Sequence, residues 1–252
     1  MVTLTAIPGI PLVRPGDDLA GLIAAALDKA AIALADRDVL VVAQKVVSKA
    51  ENRIVDLASV QPSPRAQALA AEVDKDAHLV EVILSQSRRV VRARPNVLIV
   101  EHLLGFIMAN AGVDRSNVAT VDGVERVLLL PESPDGSAEK LRQRLEAHGS
   151  CRLGVIVNDS FGRPWRRGTS GVAIGAAGLP VLLDLRGRPD LFGRVLEVTV
   201  TGFADEIAAA ASLVMGQADE GRPVVLVRGL DWSAPSAPAV SLVRPPDEDL
   251  FR

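Results

Sequence analysis

The chain has 252 residues, of which 48% are hydrophobic and 23% charged, and this composition is typical of a globular protein with a substantial core. The formal net charge of −3 and the aromatic content of 3% argue against a basic nucleic-acid-binding face or a platform for stacked bases. The single cysteine excludes an internal disulfide, and no uninterrupted apolar run is long enough to cross a bilayer. We therefore expect a cytoplasmic protein that binds neither nucleic acid nor membrane.

The first half of the chain alternates helix and strand patterns. An acidic pair at 17–18 precedes an Ala- and Leu-rich run, as expected for the start of a helix. The β-branched run DVLVVAQ at 38–44 is typical of a buried strand, and NVLIVE at 96–101 predicts another. Between these strands, the pattern predicts a helical region over about 64–87.

The second half follows a turn-rich break, PESPDGS at 131–137. The amphipathic run AEKLRQRLEAHG after it predicts a helix that ends at Gly149. Further strands are predicted in 151–157, 196–202 and 222–229, a helix in 203–216, and a Pro-rich surface tail at 231–252. We expect one α+β domain over residues 1–252, with mixed sheets and packed helices, and with two lobes divided near 131–137.

The usual phosphate- and metal-binding signatures are missing from the sequence. There is no G-x-x-x-x-G-K-[ST], and the glycines of GVAIGAAG do not follow G-x-G-x-x-G, so close backbone packing explains them better. Without H-E-x-x-H, CxxC or G-x-S-x-G, neither a zinc site nor a serine hydrolase is favoured. The isolated His78, His102 and His148 are predicted to be packing or surface residues.

A polar run, Asn158-Asp159-Ser160, interrupts the apolar strand CRLGVIV. Such residues often cap the next turn, and arginines beside them are usually solvated. The alternative is a site at the end of the strand, where a carboxylate holds a metal and arginines face phosphate or carboxylate groups. The arginines that follow the run are Arg163, Arg166 and Arg167.

Two other segments could contribute to the same chemistry. ANAGVDRSN places Asp114 and Asn117 in a loop, and carboxylate, hydroxyl and amide oxygens are ligands that Mg²⁺ or Mn²⁺ prefers. QKVVSK carries Lys45 and Lys49 four residues apart, so both lie on one face if the turn is helical and both could reach phosphates. Ordinary loop aspartates and a solvated basic patch explain these residues equally simply.

Taken in order along the chain, the motifs resemble a known family. They are IPGIPLVRPGDDL, VVAQKVVSKAENR, ANAGVDRSN, VNDSFGRPWRRG, AIGAAGLPVLLDLRG, ADEIAAAASLVMGQADEGRPVVLVRG and RPPDEDLF. The series is similar to the coenzyme F420:L-glutamate ligases, the gamma-glutamyl ligases of deazaflavin biosynthesis. It extends from Ile7 to Phe251, and we expect the stand-alone form of the family.

The resemblance implies an enzyme that uses GTP and Mg²⁺ or Mn²⁺ to add L-glutamate successively to the F420 precursor, forming a gamma-linked tail. The expectation extends to a monovalent cation such as K⁺ as an additional ion. The resemblance also implies an unusual α+β fold that forms an intertwined homodimer. Two alternatives stay open: the same GTP-dependent amide-forming machinery acting on another carboxylate acceptor, and a non-catalytic nucleotide- or metal-binding module.

Matching positions imply roles for individual residues. The metal ligands are expected to be Asp114, Asp159, Ser160 and Gln217, and the catalytic residues Asp114, Asp159, Lys49 and, by our own inference, Arg166. The nucleotide contacts are expected at Ile10, Pro11, Leu12, Val13, Gln44, Lys49, Asn117, Met215, Gly216, Gln217, Ala218, Asp219, Glu220, Gly221 and Arg222.

Two positions depart from the family pattern. Gln217 stands where many relatives have a metal-binding Glu, so it offers an oxygen without a charge. In GTSG, Gly171 replaces an Asp. Either change could alter metal preference or the choice of substrate.

Overall fold

The computed structural model describes residues 1–118, 123 and 125–249. The end of the RPPDEDLF motif, residues 250 and 251, lies outside the described residues. The helices are α1 (Leu19–Lys29), α2 (Gln44–Ala50), α3 (Pro64–Val73), α4 (Ala77–Ser85), α5 (Pro134–Gly149) and α6 (Phe203–Met215). The strands are β1 (Thr3–Ala6), β2 (Val39–Ala43), β3 (Ile54–Asp56), β4 (Ser87–Arg94), β5 (Val97–His102), β6 (Ile107–Ala109), β7 (Arg126–Leu128), β8 (Gly154–Arg163), β9 (Arg166–Ala177), β10 (Leu183–Asp184), β11 (Val200–Thr201) and β12 (Val224–Arg228).

A five-stranded mixed sheet with the order β1-β12-β2-β8-β9 organises the molecule. β2 and β8 are parallel, whereas the other neighbours in the sheet are antiparallel. Smaller sheets pair β4-β5-β6, β3-β7 and β10-β11. The prediction of an α+β fold with mixed sheets and packed helices is therefore confirmed, while a division into two lobes near 131–137 stays a prediction.

Both faces of the central sheet are buried, as the continuous apolar run of β2 predicts. Leu40 and Val42 pack on one face with α1 and α5, and Val39 and Val41 pack on the other with α6. All four of these side chains are fully buried. A third apolar cluster forms where α3 and α4 cover β5 and β7. No helix in the described part of the chain is long and apolar enough to cross a membrane.

Several predicted boundaries move in the structure. The helical region at 64–87 is two helices, because Asp74 adopts a left-handed conformation that ends α3. Helix α5 begins inside the predicted break, since Ser133 accepts a hydrogen bond from the Gly136 amide and Pro134 suits the first turn. The strand predicted at 196–202 is confined to β11, whereas β8 does not stop at Asn158 but continues to Arg163.

The Pro-rich tail is fixed to the domain by one carboxylate. Asp135 at the start of α5 accepts hydrogen bonds from the Ala176 amide of β9 at 2.8 Å and from the Ala239 amide of the tail at 2.6 Å. Ala239 is fully buried. Far from lying loosely over the surface, the tail packs along the outermost strand of the central sheet.

The glycines of GVAIGAAG serve close packing, as the sequence indicates. A Cβ atom on Gly171 would lie 2.2 Å from the Ser212 hydroxyl and 2.5 Å from the Ala208 carbonyl oxygen, both in α6. A Cβ atom on Gly175 would lie 2.3 Å from the Pro134 carbonyl oxygen. In this chain, therefore, no side chain fits at position 171 unless α6 moves.

We predict that Gly171→Asp destabilises the protein by about 2–3 kcal/mol, because it overpacks the contact between β9 and α6. Thermal unfolding should show a melting temperature lowered by roughly 5–10 °C. Gly162→Asp is the matched control, since a Cβ atom there meets nothing within 4 Å in the same hairpin. Equal melting temperatures for the two variants would contradict the packing argument.

His102, at the end of β5, is buried and neutral. Its Nδ1 atom accepts a hydrogen bond from the Leu104 amide at 2.9 Å, while its buried Nε2 atom has no partner among the described residues. Burial, with smaller contributions from the charges of Arg53 and Arg88, lowers the pKa of His102 to about 4. In the unfolded chain the pKa returns to near 6.5, so the unfolded state binds more protons between these values.

We therefore predict that His102 makes the protein less stable as the pH falls from about 6.5 to about 4, by about 3 kcal/mol. Denaturant unfolding at a series of pH values measures this slope. His102→Asn, which keeps an acceptor for the Leu104 amide, should flatten the slope across that range. A slope that survives His102→Asn would refute the assignment.

Candidate functional site

The site lies at one end of the parallel strand pair. β2 and β8 run in register, with Ala43 opposite Asn158. Helix α2 begins directly after β2, so its first turn lies beside the polar run that begins at Asn158. Because parallel strands present their carboxyl ends at the same edge of a sheet, residues far apart in sequence meet here.

A cavity of about 410 Å³ opens at this edge, within the range of about 300–1,000 Å³ usual for small-molecule sites. Its walls come from the N-terminal segment, α2, the end of β8 and the loop after α6. The lining residues are Ile10, Pro11, Leu12, Val13, Ala43, Gln44, Lys45, Val46, Lys49, Asn117, Asn158, Asp159, Ser160, Met215, Gly216, Gln217, Ala218, Asp219, Glu220, Gly221, Arg222 and Pro223.

Helix α2 points polar side chains into the cavity. Gln44 is buried, and its Oε1 atom accepts a hydrogen bond from the Ser48 hydroxyl at 2.9 Å. That contact fixes the side chain and leaves the amide nitrogen to donate toward a ligand. Because residues 44–50 are helical, Lys45 and Lys49 lie on one face, as predicted, and both line the cavity. Burial lowers the pKa of Lys49, the charge of Lys45 lowers it further, and Asp114 opposes both effects.

Asp114 does not itself line the cavity, but it forms an ion pair with Lys45, which does. The Lys45 Nζ atom lies 2.7 Å from the Asp114 Oδ2 atom, and the Ser116 amide donates to Asp114 Oδ1 at 2.7 Å. Burial favours the neutral acid, but the hydrogen bonds from Lys45 and Ser116 outweigh it and lower the pKa of Asp114. Asp114 is therefore an ionised carboxylate that is held by a lysine.

Asp159 has the opposite electrostatic environment. Burial, together with the nearby negative charge of Asp114, raises the pKa of Asp159 to about 7. The Ser160 amide, which donates to Asp159 Oδ1 at 2.8 Å, and the charge of Lys45 offset only part of this shift. Two carboxylates thus lie close enough to repel each other, and a cation between them would relieve that repulsion.

The loop after α6 closes the other side of the cavity. Gly216 has φ +74°, and a Cβ atom there would lie 2.0 Å from the Glu220 carboxyl carbon. Glu220 in turn accepts a hydrogen bond from the Ala218 amide at 2.9 Å. Glycine is favoured at position 216 because its φ of +74° and ψ of −178° form a backbone conformation that other residues rarely adopt.

The sequence matches one protein family over most of its length. The family model described as F420-0:Gamma-glutamyl ligase matches residues 9–229. The chain belongs to the F420-0:gamma-glutamyl ligase family. It is 46% identical to the coenzyme F420:L-glutamate ligase of Methanothermobacter thermautotrophicus, over 100% of this chain and 99% of the relative. It is also 47% identical to the coenzyme F420:L-glutamate ligase of Methanopyrus kandleri, over 95% of this chain and 93% of that protein. The resemblance stated from the motifs is confirmed.

The structure of this ligase-family member gathers most of the expected site residues. Every residue expected to contact the nucleotide lines this cavity, as do Asp159 and Ser160. Asp114 is joined to the cavity wall by its ion pair with Lys45. No group of three or more His, Cys, Asp or Glu residues within the described ranges is placed to hold a metal. Any ion here would need further oxygen ligands beyond the two carboxylates.

Arg166, the fourth expected catalytic residue, does not line this cavity. Arg166 lies opposite Arg163 in the strand register at the tip of the β8–β9 hairpin, and both side chains are exposed. At about 3.3 Å per residue, the strand carries Arg163 roughly 13 Å beyond Asp159. Within a single chain, the backbone positions of these arginines are therefore separated from Asp159 along the strand.

The sequence did not predict the contacts that two residues of the site make. Lys45 carries the ion pair with Asp114, a contact that no local spacing could reveal because the two residues lie on different elements. Asn158 is buried and donates from Nδ2 to the Ser212 hydroxyl at 2.9 Å, which ties β8 to α6. Its position beside Asp159 in a run of polar residues after an apolar strand was the available signal.

Proposed function

We propose that the protein is a GTP- and divalent-metal-dependent ligase that adds L-glutamate successively to the coenzyme F420 precursor. The observation that carries the proposal is the single cavity in which the expected nucleotide contacts meet Asp159 and Ser160. The names of the relatives, coenzyme F420:L-glutamate ligase, supply the substrate class. Glutamate ligation in F420 biosynthesis is the simplest activity consistent with both.

The oxygen-bearing side chains around Asp159 fit a hard divalent cation. Asp114, Asp159, Ser160 and Gln217 offer only oxygen ligands, as Mg²⁺ and Mn²⁺ prefer, and the mutual repulsion of the two carboxylates favours a cation. With two carboxylates available, phosphate oxygens of the nucleotide would complete the coordination. When bound, the ion would neutralise charge on the transferring phosphoryl group.

The reaction we propose forms an amide through an acyl phosphate. An oxygen of the precursor's terminal carboxylate attacks the γ-phosphorus of GTP, and the bond to the leaving GDP breaks. The glutamate amine then attacks the acyl carbon, phosphate leaves with the bonding electrons, and the nitrogen loses a proton. Phosphoryl transfer of this kind depends mainly on positioning and charge stabilisation.

The chain's own side chains supply that positioning. Lys49 adds a positive charge within the cavity, and Gln44 offers an amide donor whose orientation is fixed by Ser48. Lys45 holds Asp114 in place beside Asp159. The tight loop at Gly216 shapes the opposite wall, where we place the guanine nucleotide.

Asp159→Asn should lower glutamylation at least ~100-fold, because it removes the charge of a proposed metal ligand. Loss of a group that merely hydrogen-bonds to a metal ligand already costs about 10- to 100-fold in metal affinity or activity. Phosphate release and product mass spectrometry with precursor, GTP, Mn²⁺ and L-glutamate measure the effect. Asp74→Asn is the matched control, since an exposed residue in a left-handed turn accepts Asn readily. Circular dichroism should show all three proteins folded.

Undiminished turnover of the Asp159→Asn variant would refute the metal assignment. GTP binding by the wild-type protein without phosphate release, in the presence of both substrates, would instead favour the non-catalytic alternative. Turnover with another carboxylate acceptor, and none with the F420 precursor, would favour the same machinery with a different substrate.

We also propose that two chains form an intertwined homodimer through the arm between β10 and β11. The arm carries Leu191, Phe192 and Val198, which are 99%, 96% and 85% exposed. Pro189 bridges to Val195 across the arm, so these apolar side chains are held on an ordered extension. Contiguous exposed apolar residues of this kind favour burial against a partner, and a second copy of the chain is the partner we expect.

The double variant Leu191→Asp/Phe192→Asp should convert the dimer to a monomer, because charges would be buried in the apolar contact. Size-exclusion chromatography with light scattering measures the mass of each species. Val2→Asp, which changes an exposed valine outside the arm, is the control and should keep the wild-type mass. A monomeric wild-type protein, or an unchanged dimer in the double variant, would contradict the proposal.

A further inference from the structure

A second cavity of about 220 Å³ lies beside the β8–β9 hairpin. It is smaller than the range of about 300–1,000 Å³ typical of sites for drug-sized ligands. None of the residues that line this second cavity also lines the 410 Å³ cavity described above. Its size suits a small metabolite better than a nucleotide or a whole deazaflavin precursor.

The register of the β8–β9 hairpin places this cavity next to Asp159. Val172 lies directly opposite Asp159 in the strand pair, and Phe161 follows Asp159 by two residues in the same strand. Opposite residues and residues two apart share one face of a sheet, so all three side chains lie on the same side. Val172 and Phe161 are walls of the second cavity, so two of its walls are strand neighbours of Asp159 on the same face.

The apolar part of the cavity is firmly built. The Phe161 ring packs edge-on against the Phe106 ring, with centroids 5.7 Å apart. Val243 from the tail contributes another apolar surface. Such walls suit the methylene groups of a small ligand while polar groups fix its orientation.

The charged groups at the cavity have opposite signs. Asp205 accepts a hydrogen bond from the Ala173 amide on Oδ1 at 2.9 Å, while its Oδ2 atom accepts none from the described residues. Arg244 lines the cavity and forms no ion pair within the described part of the chain. Asp249, which also lines the cavity, already has an interaction partner of its own. One carboxylate oxygen and one guanidinium are thus left to meet a ligand.

Resting on the proposed ligase function, we propose that this second cavity binds the incoming amino acid, with Arg244 holding a carboxylate and Asp205 holding the ammonium group. The segment RPPDEDLF supplies Arg244, so a motif that the nucleotide cavity does not use gains a role. A guanidinium and a carboxylate match the two opposite charges of an amino-acid zwitterion.

Kinetics of the full-length protein test the assignment. Arg244→Gln should raise the KM for L-glutamate roughly 10- to 100-fold, the loss expected for a hydrogen bond between charged groups. Asp205→Asn keeps an oxygen for the Ala173 amide and should raise the same KM. The KM values for GTP and for the F420 precursor should not change in either variant.

Matched controls separate these effects from general damage. Arg92→Gln changes an exposed arginine on β4, and Glu206→Gln changes the exposed neighbour of Asp205. Both should keep the wild-type KM for L-glutamate. Glutarate, which lacks the amino group, should inhibit the Asp205→Asn variant as it does the wild type, but should inhibit the Arg244→Gln variant less.

Direct binding keeps the inference separate from the proposed reaction. In equilibrium dialysis with radiolabelled L-glutamate, Arg244→Gln should bind roughly 10- to 100-fold more weakly than the wild-type protein, whether or not ligation occurs. A wild-type protein that binds glutamate without ligating it would count against the reaction and in favour of this cavity. An unchanged KM for L-glutamate in Arg244→Gln, or a raised KM for the precursor instead, would overturn the assignment.

Discussion

The parallel pairing of β2 with β8 is the constraint on which the site depends. This pairing sets Ala43 beside Asn158, and so brings the first turn of α2 against the polar end of β8. Without it, Lys49 and Asp159 would belong to unrelated parts of the surface. Both strands are buried on both faces by α1, α5 and α6, so the register is fixed by apolar packing rather than by the polar residues at its end.

Electrostatics at that edge follow from the same packing. Lys45 forms an ion pair with Asp114, whereas Asp159 is more deeply buried and forms no ion pair within the described part of the chain. Two carboxylates with pKa values shifted in opposite directions commonly mark a functional site, and the burial of Asp159 costs stability when that group is ionised without a cation. The proposed ligase would recover that cost when a metal and a triphosphate bind.

Much of this molecule was predictable from the sequence, and the failures have physical causes. The buried strands β2 and β12 and the helix α6 have patterns whose period matches their structure. The split between α3 and α4 was missed because it depends on a single left-handed residue, Asp74, which the apolar pattern does not report. β8 was expected to end at Asn158, but pairing with β9 extends it, and pairing partners are not encoded locally.

The site shows the same division. Residues on one segment, such as Asp159 and Ser160, could be identified from their neighbours, and the family resemblance supplied the others. The ion pair between Lys45 and Asp114 and the contact of Asn158 with Ser212 join distant elements, so only the folded structure reveals them. The role of Arg166 stays a prediction, since closeness to Asp159 in sequence becomes distance along an extended strand within one chain.

The carboxylate of Asp135 has a consequence for the edge of the central sheet. β9 is a twelve-residue strand at the border of the central sheet, and its outer side is where another chain could add by strand pairing. The Ala237 amide donates to the Leu179 carbonyl, and Asp135 holds Ala239 close by, so the tail lies as a cover along this border. A proline-rich segment thus occupies part of a strand border that would otherwise be open to pairing.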